Sequence, residues 1–102
     1  PFPAGAVYAA TKFAVRALTA GLQLELSAEH GVRVTDIQPG VVATELPEHI
    51  PDPVVRDAFA ERRAGWRPLE AEDVASAVLY AVTAPPRVNV NEVLIRPTDQ
   101  PN

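Results

Sequence analysis

The sequence predicts an α/β fold with parallel strands, of which these 102 residues hold only a part. The first observation is that strand-like segments alternate with helical ones, in the order helix, strand, loop, helix, helix, strand. The second is that only two strands are predicted, which are too few for an open parallel sheet with helices on both faces. We therefore expect a large part of the sheet to lie outside this sequence.

The first helix and the first strand are predicted from the opening third of the chain. From about Gly5 to Glu29 the residues are mainly good helix formers without a proline, and Gly31 stands where a left-handed residue would end a helix. Polar and apolar residues alternate from Val32 to Gln38, which is typical of a strand. Pro39-Gly40 then predicts the turn that ends this strand.

A proline-containing loop is predicted from Val41 to Asp52, followed by a second helix. Asp52 is a suitable N-cap and Pro53 a suitable first helical residue, so this helix should run to about Ala64 and end at Gly65. Its apolar positions are Val54, Val55, Ala58 and Phe59. Because this stripe is narrow and flanked by charges, we expect a surface helix over a groove.

The third helix should begin at an acidic cluster, Glu70–Asp73, whose charges complement the helix dipole. Its buried face is predicted to consist of Val74, Val78, Leu79 and Val82, with Tyr80 as a core aromatic beside them. Pro85-Pro86 ends this helix, and the second strand is predicted from Arg87 to Arg96. The residues from Pro97 onward read as a tail.

Composition excludes several classes of function. The net charge is −4 and the nine cations are scattered, so there is no basic stripe for nucleic acid. Without cysteine there are no disulfides, and no apolar run approaches the roughly 18 to 20 residues of a membrane span. His30 and His49 lack partners at metal-ligand spacing, so we predict no metal site. We expect a cytoplasmic protein. Because the chain opens on proline rather than methionine, we also expect it to be a piece of a longer protein, with a processed mature protein as the alternative.

Tyr8 and Lys12 are the first candidate for chemistry. Positions four apart share one face of a helix, so the phenol and the ammonium can act at one point. A phenol is a weak acid with an ordinary pKa of about 10, and a cation fixed beside it favours the ionised form. Tyr8 is therefore a candidate proton donor or acceptor. An ordinary exposed pair is the alternative that spacing alone leaves open.

Four segments in order resemble one family, the short-chain dehydrogenase/reductases. Tyr8–Val15 resembles its Tyr-x-x-x-Lys helix, and Pro39–Thr44 resembles its Pro-Gly-x-x-x-Thr turn. Leu69–Ala75 is similar to the helix after its substrate loop, and Asn91–Thr98 to the closing strand of its single-domain bacterial members. The resemblance implies that residues 1–102 are the C-terminal half of a doubly wound Rossmann-type parallel sheet, with residues 45–66 as the substrate lid.

The resemblance also implies a role for each matching residue. Tyr8 would be the catalytic acid/base in hydride transfer at a carbonyl or alcohol carbon, and Lys12 would support its phenolate and bind the nicotinamide ribose. The remaining cofactor-binding residues would be Pro39, Gly40, Val42 and Thr44, the first three through their backbone. The implied cofactor is NADP or NAD, with NADP slightly favoured, and the substrate is a small carbonyl or alcohol compound.

Several parts of the family's site are not in these residues. The glycine-rich phosphate turn, the Ser that polarises the substrate and the Asn of the proton relay would all lie before Tyr8. We therefore expect the 102-residue chain alone to be inactive and the intact protein to be the enzyme. A non-catalytic fragment or interaction module is the alternative. An epimerase or dehydratase of the related extended branch is disfavoured because the C-terminal tail is short.

The first helix is apolar on two opposite faces when successive residues are placed about 100° apart. One face carries Tyr8, Lys12, Val15, Thr19, Leu22 and Leu26, and suits packing on the sheet. The other face, which we call the small-residue face, carries Ala10, Phe13, Ala17, Ala20, Gly21 and Leu24. Because it allows close helix approach, we predict that it meets its own copy in a homodimer or homotetramer. Coverage by another helix of the same subunit is the alternative.

Overall fold

A computed structural model describes residues 5–43 and 49–101 of the chain. Three helices and two strands follow in the order α1 (Ala6–His30), β1 (Asp36–Pro39), α2 (Pro53–Arg63), α3 (Ala71–Val82) and β2 (Glu92–Ile95). The strands are parallel, with Asp36 opposite Glu92 and Pro39 opposite Ile95. Both α1 and α3 contact β1. The predicted α/β fold with a parallel sheet is therefore confirmed.

The end of α1 follows the predicted glycine signal. Gly31 has a φ of 65°, in the left-handed region, and its N–H donates to the Ser27 carbonyl at 3.1 Å. The N–H of Val32 reaches back to the Leu26 carbonyl at 3.4 Å. These two bonds satisfy carbonyls in the last turn and reverse the chain toward β1.

The first strand begins later than the predicted Val32 to Gln38. Val34 donates its N–H to the Asn89 side-chain oxygen at 2.9 Å, and its carbonyl accepts from the side-chain amides of Gln23 and Asn89 at 2.9 and 3.1 Å. Since both backbone groups of Val34 bond to side chains, this stretch is extended without belonging to the sheet. The ladder starts at Asp36 and ends at Pro39.

The second strand is also shorter than the predicted Arg87 to Arg96. The N–H of Val88 donates to the Pro85 carbonyl at 2.8 Å, which closes a turn over residues that were predicted to be extended. Arg33 bonds to the same turn and to the end of α3, donating to the carbonyls of Ala84 at 2.8 Å and Val82 at 3.2 Å. The helix terminus is therefore held by a side chain that precedes β1.

The second helix begins as predicted, because the Asp52 carboxylate accepts from the Val54 N–H at 2.9 Å. Only part of its predicted apolar stripe is covered. Val55 and Phe59 are half-buried, whereas Val54 is 77% exposed and Ala58 is also exposed. The helix therefore contacts the rest of the chain along a narrower strip than the sequence indicated.

The predicted buried face of α3 is wrong. Its N-terminus is as expected, with a capping box between Glu70 and Asp73. The side that faces inward carries Val74, Ala77 and Ala81, whereas Val78, Leu79, Tyr80 and Val82 are 42%, 60%, 66% and 59% exposed. Small alanines let this side of α3 approach β1, so the bulkier residues point outward.

The chain exposes far more surface than a closed domain of its mass. Its accessible surface is 7538 Å², whereas a folded monomer of 10.9 kDa is expected to expose about 5,600 Å². Among the described aliphatic and aromatic residues, proline aside, only Ala81 is buried, at 6% exposure, whereas Leu24 and Leu94 are 85% and 71% exposed. Apolar surface on this scale is what further polypeptide would cover.

Candidate functional site

Tyr8 and Lys12 meet on the first turns of α1. The Lys12 Nζ lies 5.3 Å from the centroid of the Tyr8 ring, within the range of a cation–π contact. The Thr11 hydroxyl donates to the Tyr8 carbonyl at 2.7 Å, so this side chain bonds back to the preceding turn of the helix. Tyr8 is 53% exposed, so a ligand can reach its ring. The structure therefore brings together the two residues predicted to carry the chemistry.

The level of Tyr8 along the sheet follows from contacts near the other end of α1. The chain reverses at Gly31 and Gln23 bonds to the carbonyl of Val34 at 2.9 Å, so the helix runs roughly antiparallel to the chain leading into β1. Tyr8 lies 15 residues before Gln23, or about 22 Å along the helix. Val41 lies seven residues after Val34, or about 23 Å if the chain is extended. Tyr8 and the turn after β1 therefore lie at the same end of the sheet.

The turn after β1 is fixed by backbone bonds on two sides. The N–H of Gly40 donates to the Ile95 carbonyl at 2.7 Å, continuing the pairing with β2. Val42 forms a parallel bridge with Leu69, through Leu69 N–H to Val41 carbonyl at 2.7 Å and Ala43 N–H to Leu69 carbonyl at 2.8 Å. The predicted residue Pro39 ends β1 itself, and Thr44 lies outside the described residues.

Gly40 is packed closely against the residues that follow β2. A Cβ built at this position would lie 2.5 Å from the Gln100 side-chain oxygen, 3.0 Å from the Arg96 Cβ and 3.1 Å from the Arg96 Cα. The side-chain oxygen can move aside, but the Arg96 contacts require the two chain segments to separate by a few tenths of an ångström. Glycine therefore favours the close approach of these segments.

The residues from Pro97 onward, which the sequence predicted as a tail, form a turn that bonds to the β1 turn and to Arg67. The Gln100 side-chain oxygen accepts the N–H of Val41 at 2.9 Å. Asp99 forms an ion pair with the Arg67 guanidinium at 3.3 Å and accepts the Arg67 backbone N–H at 3.3 Å. The backbone N–H and then the side chain of Arg67 hold the pKa of Asp99 below its ordinary value. The segment therefore ties the β1 turn to the chain that follows α2.

A cavity of about 170 Å³ lies between the β1 turn and α2. Its walls are Val41, Val42, Ala43, Ala60, Arg63, Trp66 and Pro68. Trp66 lines the cavity. Arg63 is half-buried, whereas the adjacent Arg62 is exposed. Adjacent helix residues point about 100° apart, so one arginine faces the cavity.

Within the described ranges, 5–43 and 49–101, no three His, Asp or Glu side chains lie close enough together to bind a metal ion. No helix within them is long and apolar enough to cross a membrane.

The arrangement can move a proton beside a cation. A phenol with an ammonium at close range can give up a proton to a bound group and be stabilised as the anion. A backbone turn at the same end of the sheet, held on two sides, offers a rigid wall for a flat ring. Ligands of open α/β sheets bind at the carboxyl ends of the strands, which is where these groups lie.

Comparison with known proteins gives consistent matches. Residues 1–54 match the family model for short chain dehydrogenases. A Staphylococcus epidermidis protein named uncharacterized oxidoreductase is 47% identical over 97 residues, which cover 95% of this chain and 37% of that protein.

Solved structures agree with this match in fold. A serine dehydrogenase in complex with NADP+ has a TM-score of 0.82 and 35% identity, over 100% of this chain and 41% of that one. A small-chain dehydrogenase in complex with NADPH has a TM-score of 0.68 and 28% identity, over 90% and 42% of the two chains. The chain thus spans 37% to 42% of the length of these three relatives.

Proposed function

The chain belongs to the short chain dehydrogenase family, and on that premise we propose that it forms the catalytic part of an NAD(P)-dependent oxidoreductase. The reaction is transfer of hydride between the nicotinamide and the carbon of a small carbonyl or alcohol compound. The observation that supports this most is the contact of Lys12 Nζ with the Tyr8 ring at the carboxyl end of the sheet. Both solved relatives described above carry NADP+ or NADPH, which favours NADP as the cofactor.

Tyr8 acts as the general acid and base. When bound, the reduced nicotinamide supplies the hydride that adds to the carbonyl carbon. The Tyr8 hydroxyl gives its proton to the carbonyl oxygen, so that an alcohol forms, and in the reverse direction the phenolate takes that proton back. Lys12 stabilises the phenolate that remains after proton donation and, from its place one turn along α1, also binds the nicotinamide ribose.

The residues fit the nicotinamide end of the cofactor. We assign the pocket wall to the backbone of Pro39, Gly40 and Val42, with Thr44 reaching the carboxamide or a phosphate. Support comes from the rigid attachment of this turn to β2 and Leu69. No glycine-rich phosphate turn occurs in the 102 residues, so the pyrophosphate must be bound by the part of the protein that the relatives have in addition.

Residues 45–66 are proposed as the substrate lid. Within this range α2 and Trp66 stand beside the cavity, with the turn after β1 on its other side. Residues 1–102 then make up the C-terminal half of the Rossmann-type domain. A cytoplasmic location remains a prediction.

Turnover by the full-length protein tests the proposed function. We expect the full-length protein to consume NADPH only when a small ketone or aldehyde is added. The isolated 102-residue chain should bind NADPH weakly in a titration measured by NADPH fluorescence. The reason is that the pyrophosphate site and the substrate-polarising Ser lie elsewhere. Absence of turnover with a broad carbonyl and alcohol panel would favour the alternative, a non-catalytic module. Tight NADPH binding by the isolated chain would contradict the assignment of the pyrophosphate site to another part of the protein.

We also propose that the small-residue face of α1 forms a subunit interface in a homodimer or homotetramer. In the structure this face is open, with Phe13 58% and Leu24 85% exposed. A Cβ added at Gly21 would meet nothing within 4 Å, so the centre of the face is smooth and accessible. Small residues allow a second helix to approach closely, and apolar exposure of this extent favours a partner.

Substitution of Ala20 by Arg tests this interface. A charged side chain in a closely packed apolar interface cannot be solvated, so we expect the full-length protein to change from an oligomer to a monomer in light scattering. Glu25→Arg is the matched control, because it places the same side chain on a charged seam of the same helix. An unchanged mass for Ala20→Arg would rule out this face as the interface.

A further inference from the structure

Arg63 has a buried nitrogen without a hydrogen-bond partner. Its Nε is shielded from solvent and bonds to no group in the part of the chain that the structure describes. A donor left without a partner in a buried position costs about 1–3 kcal/mol, more when it belongs to a charged group. Nearly all such groups in native structures have a partner, so this side chain is not held in place by hydrogen bonds at Nε, and its terminal nitrogens are the ones that a group in the cavity could reach.

The guanidinium is held in place by an aromatic ring. The Arg63 Cζ lies 4.9 Å from the centroid of Phe59, one turn earlier on α2, and Phe59 is half-buried. Within the described residues no carboxylate forms an ion pair with Arg63, since the ion pairs there join other residues. The Phe59 ring therefore holds the guanidinium in position, and the positive charge is available to bind an anion.

The cavity beside Arg63 is small. Its other described lining residues are valine, alanine, tryptophan and proline, so Arg63 is the one charged side chain among the described residues of its wall. A volume of about 170 Å³ corresponds to roughly six water-sized groups and is below the 300–1,000 Å³ of pockets for larger ligands. A ligand that suits it is a short molecule with one anionic group. The planar guanidinium matches a carboxylate, which it can bind through two parallel bonds.

We propose that Arg63 and this cavity form a carboxylate subsite, so that the substrate is a short oxo or hydroxy acid. The inference rests on the proposed function and adds the chemical class of the substrate. The cavity wall formed by Val41 and Val42 belongs to the turn assigned to the nicotinamide, which places the subsite beside the reacting carbon. The extra phosphate of NADPH lies at the opposite, adenosine end of the cofactor and does not account for this cation.

Two matched ketones test the subsite in the full-length protein. Acetoacetate and its methyl ester carry the same reacting carbonyl and differ in the charge of the acid group. For Arg63→Met we expect kcat/KM for acetoacetate to fall about 10- to 100-fold, since one charge-assisted contact is lost, while the value for the ester changes less than about threefold. Arg63→Lys should recover part of the loss. Arg87→Met, at an exposed cation outside both the cavity wall and the proposed lid, should leave both values unchanged.

A binding measurement separates this inference from the proposed function. Calorimetric titration of acetoacetate into the protein saturated with NADP+ should show a 10- to 100-fold higher Kd for Arg63→Met than for wild type. If wild type binds acetoacetate through Arg63 without reducing it, the subsite stands and the proposed function fails. If wild type reduces both ketones and Arg63→Met affects them equally, the function stands and the subsite is wrong. If Arg63→Met lost affinity for NADPH but not for NADH, Arg63 would bind the extra phosphate of the cofactor and the inference would be overturned. A wild type that neither binds nor reduces acetoacetate would also overturn it.

Discussion

Replacement of Tyr8 by Phe is expected to lower kcat of the full-length enzyme about 10²- to 10⁴-fold, the usual contribution of general acid and base catalysis. The phenylalanine ring keeps the contact with the Lys12 ammonium, which lies 5.3 Å from the ring centroid, so the fold of α1 should be retained. Only the hydroxyl that gives or takes the proton is removed. Steady-state kinetics measures kcat, and circular dichroism measures whether the helical structure is retained.

Tyr80→Phe is the matched control for this substitution. It removes the same hydroxyl from an exposed position on α3, where we assign no role in the reaction, and should leave turnover unchanged. Affinity for NADPH should stay within a few-fold of wild type in both variants. If Tyr8→Phe retained near wild-type kcat, the proton would have to come from another group and the role of Tyr8 would be wrong.

Gly40→Ala should also have a large effect, on cofactor binding. Its methyl group would lie 3.0 and 3.1 Å from Arg96 Cβ and Cα, so the β1 turn and the Arg96 segment must separate by a few tenths of an ångström. Forcing an extra methyl group into a packed site costs about 1–3 kcal/mol. Since 1.4 kcal/mol is a factor of ten, we expect KM for NADPH to rise about 10-fold or more through displacement of the turn.

A double variant separates the two contacts at Gly40. Gln100→Ala removes the oxygen that would lie 2.5 Å from the new methyl group, but it leaves the Arg96 contacts in place. Gln100→Ala also loses the bond to the Val41 N–H, so alone it should raise KM for NADPH more moderately. In the double variant the loss should be smaller than the sum of the two single losses. Strict additivity would show that the Gln100 side chain does not limit the space at Gly40.

The element boundaries that the sequence predicted well are those with a local chemical signal. Gly31 ends α1 because the left-handed conformation is open to glycine, and Asp52 begins α2 because its carboxylate accepts a backbone N–H two residues later. Tyr8 and Lys12 come together because helix geometry alone sets their spacing. Each of these features depends on residues within one helical turn.

The features that the sequence did not predict depend on distant neighbours. Leu79 and Val78 are as apolar as Val74, so hydrophobicity alone does not tell which side of α3 packs on β1. Arg63 differs from Arg62 only through what α2 lies against. Gln100 bonds to Val41 across 59 positions in sequence, a contact for which no local pattern exists.

The most direct test of the assigned site is the structure of the full-length protein in complex with NADP+. We predict that the nicotinamide ring lies between the Tyr8 hydroxyl and the backbone of Gly40–Val42, with Lys12 at the adjoining ribose. The reacting carbon should then leave room for a substrate atom at about 3–3.5 Å, the separation of a reactive complex. A nicotinamide bound at another edge of the sheet, with Tyr8 and Lys12 making no contact to cofactor or substrate, would contradict the assignment.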